Sequence, residues 1–571
     1  MKRTTLLLVV LLVLLPAASV TAGAAGEDTA AGAATGASVV TAVGQLPIVS
    51  QPVTLKFFAP QNPTIVDMKT NSFTLWFEER TGVHIDWDLA PSSEYTEKLN
   101  LVLASGDYPD AFHTGTGSIG TTNEVKYGTQ QGVLIAVNDL IDQYMPNLTR
   151  FMAETPGMRE ALTNIDGKIY GFPGYNSCYH CENAQRMWVN QGWLDKLGLE
   201  APTTTDEFYD MLVAFKENFP GSVPLTGTIS GNWHSYLDGF LMNPFIFSAT
   251  AANLDMKLRL TNSTGIIDSI ADKEGYREGL RYIRKMYVND LLDPNAITQT
   301  NDQLRALFAD SSKDIVGAMP SGTMLIVADL TRNQETYARF HAIAPLKGPT
   351  GLQQTPRFAG MPISGQIAVT NVSKYPEVIA RWVDQFYDFY SSEAYLVPVS
   401  RQYGVLDTNW RRGGPGETGL DGTTAAMYQF ITVPDQPSQN HCWANAVGPY
   451  VFAPAMRDGM PADYSKDLYA SDMVDPLLYQ VSKNLMEPYQ SKDYSVVPLS
   501  SIRFTSDETD EIATLQVDLQ KYISENYAAF VAGQKSLDTD WDSYVSGLNR
   551  IGLDRYLQIV NVGYSRQFGK K

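Results

Sequence analysis

The sequence predicts an α/β fold built on a mostly parallel, helix-covered sheet. Strand and helix patterns alternate β-α-β-α over residues 53–104, an order that suits parallel sheets. Later helical stripes are headed by complete capping-box signatures. The chain has 571 residues, 44% apolar and 11% aromatic, which is ample material for a sizeable core. At ~150 residues per domain this length suggests about four units, and two large lobes fit equally well.

Val53 to Ala59 reads as the first strand, apolar and β-rich, ended by Pro60 and Pro63. Thr70 to Arg80 reads as a helix that buries Phe73, Phe77 and the Leu75/Trp76 pair, with Gly82 closing it. Val83 to Trp87 alternates as a second strand. Glu94 to Ala104 reads as a second helix with Leu99, Val102 and Leu103 apolar, ended by Gly106. Thr204 and Glu207 form a capping box ahead of Phe208, Met211, Leu212 and Phe215. Thr505 and Glu508 form another ahead of Ile512, Leu515 and Leu519. Pro376 to Tyr387 reads as a helix with Val378, Ile379, Trp382 and Phe386 inward. Strands return at Asp314–Met319 and Gln366–Thr370, and the Gly- and Pro-rich stretch 411–423 reads as a surface loop.

The first 24 residues read as a secretory signal peptide. Lys2 and Arg3 supply the positive end, Leu6 to Leu15 the apolar run, and Ala22-Gly-Ala24 the cleavage pattern. The run is too short to cross a ~30 Å hydrocarbon core. Residues 25–52 read as a flexible leader. No Cys follows the apolar run, so no lipid-anchor Cys is expected and a periplasmic location is inferred. The net charge of −19 argues against nucleic-acid partners and against docking on anionic lipid.

Several local patterns then converge. Leu103-Ala-Ser-Gly-Asp-Tyr-Pro-Asp-Ala-Phe112, Asp166-Gly-Lys-Ile-Tyr-Gly-Phe-Pro173 and the run from Met187 to Glu207 resemble successive motifs of bacterial extracellular solute-binding proteins of ABC importers. Leu346 to Gly351, Pro376 to Asp384, Phe530 to Gly533 and Trp541 to Leu548 continue the resemblance, which is to the large carbohydrate-binding subgroup. It covers residues 53–571. It implies a two-lobed periplasmic-binding-protein fold with a hinge and a ligand cleft between the lobes. The expected N-terminal lobe is 53–172 plus 314–371, and the C-terminal lobe 173–313 plus 372–571. Crossings are expected near Pro173, Asp314 and Val372. Many relatives carry a calcium loop after the helix matching Phe208–Phe219. Here Asn218 to Leu225 lacks the spaced carboxylates, so no calcium is expected there. No cofactor and no metal is expected.

A sugar ring needs an aromatic plate under its CH face and polar groups at its hydroxyl rim. Trp233 and Trp443, each among polar neighbours, are candidate plates, with structural packing as the other reading. Trp76, Trp382 and Trp541 read as core. Ligands in open α/β sheets sit beyond strand carboxyl ends. Gln61 and Asn62 after the first strand, Ser105 and Asp107 in the ASGD turn, and Tyr175, Asn176, Tyr179 and His180 after the crossover are therefore candidate ligand contacts. A purely turn-forming role competes for Ser105 and Asp107. Arg186 could clamp an acidic sugar or form a structural ion pair. Cys178 and Cys181 are disulfide candidates in an oxidising compartment. A zinc site adding His441 and Cys442 is the alternative, and one thiol of the three is left over.

No H-E-x-x-H, G-x-S-x-G or P-loop occurs. The resemblance implies a non-enzymatic carbohydrate binder that delivers an oligosaccharide to permease subunits, and a monomer is expected. A secreted glycoside hydrolase or lyase and a binder of a non-sugar solute such as a peptide are the alternatives.

Overall fold

Asn71 starts the first helix by accepting the backbone N–H of Phe73 at 3.1 Å, and Gly82, at φ 74°, ends it in the left-handed conformation. The helix, Ser72–Thr81, buries Phe73 and Phe77 but leaves Leu75 about half exposed, so Leu75 is not a core residue as its apolar character suggested. This is a computed structural model. It describes residues 39–229, 233–249, 256–310, 312–330, 332–360, 362–423, 426–431, 439–444 and 447–569. The signal peptide and most of the leader lie outside the described residues. One compact unit spans Val40–Lys571.

Strand Val53–Gln61 pairs in parallel with Val83–Pro91 and with Ala111–His113, so the opening β-α-β-α-β is present. These strands belong to a six-stranded sheet. Its order is Val451–Phe452, Phe172–Asn176, Pro362–Val369, Ala111–His113, Val53–Gln61, Val83–Pro91. Pro362–Val369 runs antiparallel to both of its neighbours. A second, four-stranded sheet has the order Phe340–Ile343, Met187–Asn190, Val316–Pro320, Val223–Leu225.

Both capping boxes noted in the sequence form, at Thr204/Glu207 and at Thr505/Glu508. They start the helices Thr205–Asn218 and Ser506–Ala532. Both helices pack into a core that also holds Trp193, Tyr276, Ile283, Trp541 and Tyr556. Within the Gly- and Pro-rich stretch, Trp410–Arg412 forms a hairpin pair with Tyr428–Phe430.

Val316–Pro320 and Phe340–Ile343 lie in the second sheet, so the chain returns to the first sheet between residues 344 and 361, not near Asp314. The helix Pro376–Asp384 stays with the first sheet: Trp382 packs on Phe57 and Phe77 at 5.6 and 5.3 Å. Val451–Phe452 still pairs with Phe172–Asn176, whereas Tyr494–Ser495 pairs with Leu258–Thr261. Among the described residues no strand of the first sheet follows Phe452. A strand's sequence shows that it is a strand. Its sheet is set by distant partners that no local pattern encodes.

Candidate functional site

Strand direction decides which loops can meet. Val53–Gln61, Ala111–His113 and Phe172–Asn176 all run the same way, so their carboxyl ends share one edge of the first sheet. In the second sheet the carboxyl ends of Val223–Leu225 and Val316–Pro320 share an edge with the amino end of Met187–Asn190. Residues 177–186 join these two edges directly. The short crossover therefore draws the two carboxyl edges toward one region.

The crossover is built rigidly. A disulfide joins Cys178 and Cys181. The Tyr179 hydroxyl donates to Asp475 Oδ1 at 3.0 Å, and its ring meets Tyr479 and His180 edge-on at 5.1 and 4.9 Å. The His180 ring lies 5.8 Å from Trp233. Trp233 is half-buried, and its φ of 42° is followed by 66° at His234. Two successive non-glycine residues in the left-handed region are costly and mark a segment held for a purpose. The Trp233 carbonyl accepts the Gly322 N–H at 3.0 Å, and a Cβ at Gly322 would come within 2.5 Å of the indole. Glycine at 322 is thus what seats the ring. His234 in turn faces Phe358 at 4.9 Å.

Arg186 is fully buried and binds these parts together. Its guanidinium donates to the carbonyls of Gly322 and His180 and to Ser482 Oγ, the last two at 2.9 and 2.7 Å. It is therefore a brace rather than a clamp for an acidic sugar. Arg186→Met is expected to lower folding stability by ~3–5 kcal/mol, measured by denaturant unfolding, because buried acceptors lose their donor. A change below ~1 kcal/mol would remove the brace role.

On the first-sheet side, Asn176 Oδ1 accepts from Arg457 Nη2 at 3.2 Å, and Arg457 lies over the Phe452 ring at 4.0 Å. A polar cavity of ≈ 210 Å³ adjoins, lined by Ser177, Tyr179, Glu182, Arg357, Arg457 and Lys483 among others. Four of its charged side chains pair, Arg357 with Glu182 at 2.9 Å and Lys483 with Glu487 at 2.9 Å, and Arg457 and Asp458 add one charge of each sign. This arrangement offers aromatic faces, amides and balanced charge, which suits a neutral polyhydroxylated ligand.

Burial, then Arg457 and Arg186, pushes His180 down to about 3; burial, then Arg186, pushes His234 down to about 4. Both imidazoles are neutral near pH 7. A lowered histidine contributes stability that is complete above its unfolded value and is lost as pH falls toward the folded value. For His180 the loss between pH 7 and pH 5 is ~2 kcal/mol, taking ~6.5 as the unfolded value. His180→Gln should therefore lose less melting temperature over that interval than the parent. Equal losses would contradict a neutral, buried His180.

Not every expected residue joins the site. Tyr179, His180, Arg186 and Trp233 come together, and Asn176 reaches the adjoining Arg457. Tyr175 packs edge-on against Phe151 at 5.0 Å inside the first lobe. Gln61 lies on the same sheet edge, exposed, its carbonyl taken by Ser92; Asn62 Oδ1 holds Thr64. Ser105 and Asp107 sit where the second helix turns into a strand, at the amino edge of the first sheet. Ser105 Oγ donates to the Val102 carbonyl at 2.8 Å and accepts the Asp107 N–H at 3.1 Å, so both residues serve the turn. Trp443 is only 1% exposed, wedged among Phe73, Trp87, Trp382 and Phe386, with Nε1 donating to Thr74 Oγ1 at 2.8 Å. It is a core residue, not a plate. Cys442 is buried beside it, and its carbonyl accepts from Asn71, so the zinc set with Cys442 and His441 does not assemble. Sequence reasoning misses His234, Phe358, Arg457 and Asp475. Only His234 carries a local signal, its place next to Trp233.

Residues 59–396 match the family model described as bacterial extracellular solute-binding protein. Over 540 residues the chain is 29% identical to the fructooligosaccharide ABC transporter substrate-binding protein FusA of Streptococcus pneumoniae, with 91% of each chain covered. The solved structure of FusA in complex with kestose matches with a TM-score of 0.66 at 26% identity, covering 91% of this chain and 100% of that one. An HMO-binding, ABC-transporter-associated solute-binding protein from Bifidobacterium longum infantis matches with a TM-score of 0.70 at 16% identity, again over 91% and 100%, a likeness of fold. Among the described residues no helix is long and apolar enough to cross a membrane.

Proposed function

The chain belongs to the bacterial extracellular solute-binding protein family, and from that premise we propose that it captures an oligosaccharide between its two lobes and delivers it to the permease subunits of an ABC importer. The observation that supports this is the chain of ring contacts from Trp233 to His180 to Tyr179 on the crossover between the two sheets, with Tyr179 also lining the polar cavity. A relative similar along nearly the whole chain is named for fructooligosaccharides, which makes kestose-type oligomers the first ligands to try. The balanced charge around the cavity favours a neutral sugar over a uronate.

Ligand that touches both lobes stabilises the closed form over the open one, and the closed form presents the surfaces that the permease reads. We place one lobe on the six-stranded sheet and the other on the four-stranded sheet with the long C-terminal helices. The signal pattern at residues 1–24 supports release into the periplasm, where the chain is proposed to act as a monomer. No catalytic role is assigned to any residue of the site, and the chain is proposed to bind without turnover.

The test is calorimetric titration of the purified protein with kestose-type oligomers, neutral α-galactosides, uronate oligomers and short peptides, followed by mass spectrometry of the recovered ligand. Saturable binding of one neutral oligosaccharide series, recovered intact, is expected. Cleavage of the bound sugar would turn the assignment to a hydrolase. Binding of peptides alone would turn it to another solute class.

A further inference from the structure

We propose that the Cys178–Cys181 pair beside the cleft, once reduced, forms with His180 a three-ligand site for a thiophilic divalent cation. Cys178 Sγ, Cys181 Sγ and a ring nitrogen of His180 lie within 4.8 Å of one another, the one such cluster of soft or imidazole ligands among the described residues. Tetrahedral bonds of ~2.3 Å to sulfur and ~2.1 Å to nitrogen hold ligand atoms roughly 3.5–3.8 Å apart, so shifts on the scale of side-chain rotation close the site.

A second observation points the same way. Nδ1 of His180 is buried and meets no hydrogen-bond partner among the described residues. Buried polar atoms normally find one, so the oxidised crossover leaves a ring nitrogen unused. Two thiolates balance a divalent charge. A fourth coordination position remains for water.

Cation affinity is thereby tied to redox state, because the disulfide offers no thiolate. A dithiol supplies two electrons and two protons to the Sγ–Sγ bond and leaves as its own disulfide. Cation binding then releases the two thiol protons to water. The crossover also carries Tyr179 and His180 toward Trp233, so the exchange of a covalent staple for a cation takes place at the plate itself.

The test is titration of the full mature chain with Co²⁺, before and after reduction by a phosphine that is then removed. The reduced protein is expected to develop a sulfur-to-cobalt charge-transfer band with tetrahedral d–d absorption, saturating at one Co²⁺ per chain, and the oxidised protein to show neither. Cys178→Ser should abolish the band. His180→Gln should weaken Co²⁺ binding at least about tenfold. The proposal is overturned if the reduced protein, shown by a thiol reagent to carry its three cysteines reduced, gives no such band. It is equally overturned if Cys178→Ser keeps the band or if His180→Gln binds like the parent. Circular dichroism checks each variant's fold, and the comparison of oxidised with reduced parent protein stands without any variant.

Discussion

Trp233→Ala should weaken oligosaccharide binding by about 30-fold while costing the fold ~1 kcal/mol or less. The indole is half-buried and seated over Gly322, so most of its support is backbone that the substitution leaves in place. What is lost is the face on which a sugar ring stacks, and aromatic anchors at binding sites carry ~2 kcal/mol or more when truncated. Trp233→Phe keeps a smaller plate and should recover most of the affinity. Calorimetric titration beside a thermal melt separates the two effects. An unchanged affinity in Trp233→Ala would remove the indole from the site.

Trp443→Ala should do the opposite. Its ring fills the space between Phe73, Trp87, Trp382 and Phe386, and its Nε1 serves Thr74. Large-to-small changes of a fully packed aromatic cost ~3–5 kcal/mol, from lost transfer energy plus the cavity left behind. The melting temperature should fall sharply, while the molecules that remain folded keep the parent affinity. A loss of affinity with little loss of stability would place Trp443 in the cleft after all.

The same pair shows how far the sequence can be read. Both tryptophans stand among polar neighbours, and both read as plates. Their difference is non-local. Trp443 meets a helix some 370 positions earlier and another some 60 earlier, whereas Trp233, among the described residues, sits against Gly322, His180 and its neighbour His234. What is local is legible: the opening strand–helix alternation, the capping boxes at Thr204 and Thr505, and the glycine ends at Gly82 and Gly106. Each depends on atoms within a turn or two of chain.

Ser105 and Asp107 illustrate a different kind of error. The turn is recognisable, but it joins a helix to a strand, and such turns lie at the amino edge of a parallel sheet. Connections leaving a strand lie at the carboxyl edge, where Asn176 and the crossover stand. Sheet membership is illegible for a related reason. Val316–Pro320 is recognisable as a strand, yet only its pairing with Met187–Asn190 and Val223–Leu225 assigns it to the second sheet. Arg186 shows the limit for charge. From sequence it could hold a ligand or a structural partner, and only its three acceptors reveal the brace.

The central claim is that a sugar is held between two lobes that close on it. Small-angle X-ray scattering of the protein with and without saturating oligosaccharide tests it most directly. A smaller radius of gyration is expected in the saturated protein, with a smaller change in Trp233→Ala at a sugar concentration that just saturates the parent. Saturated binding with an unchanged radius of gyration would contradict it.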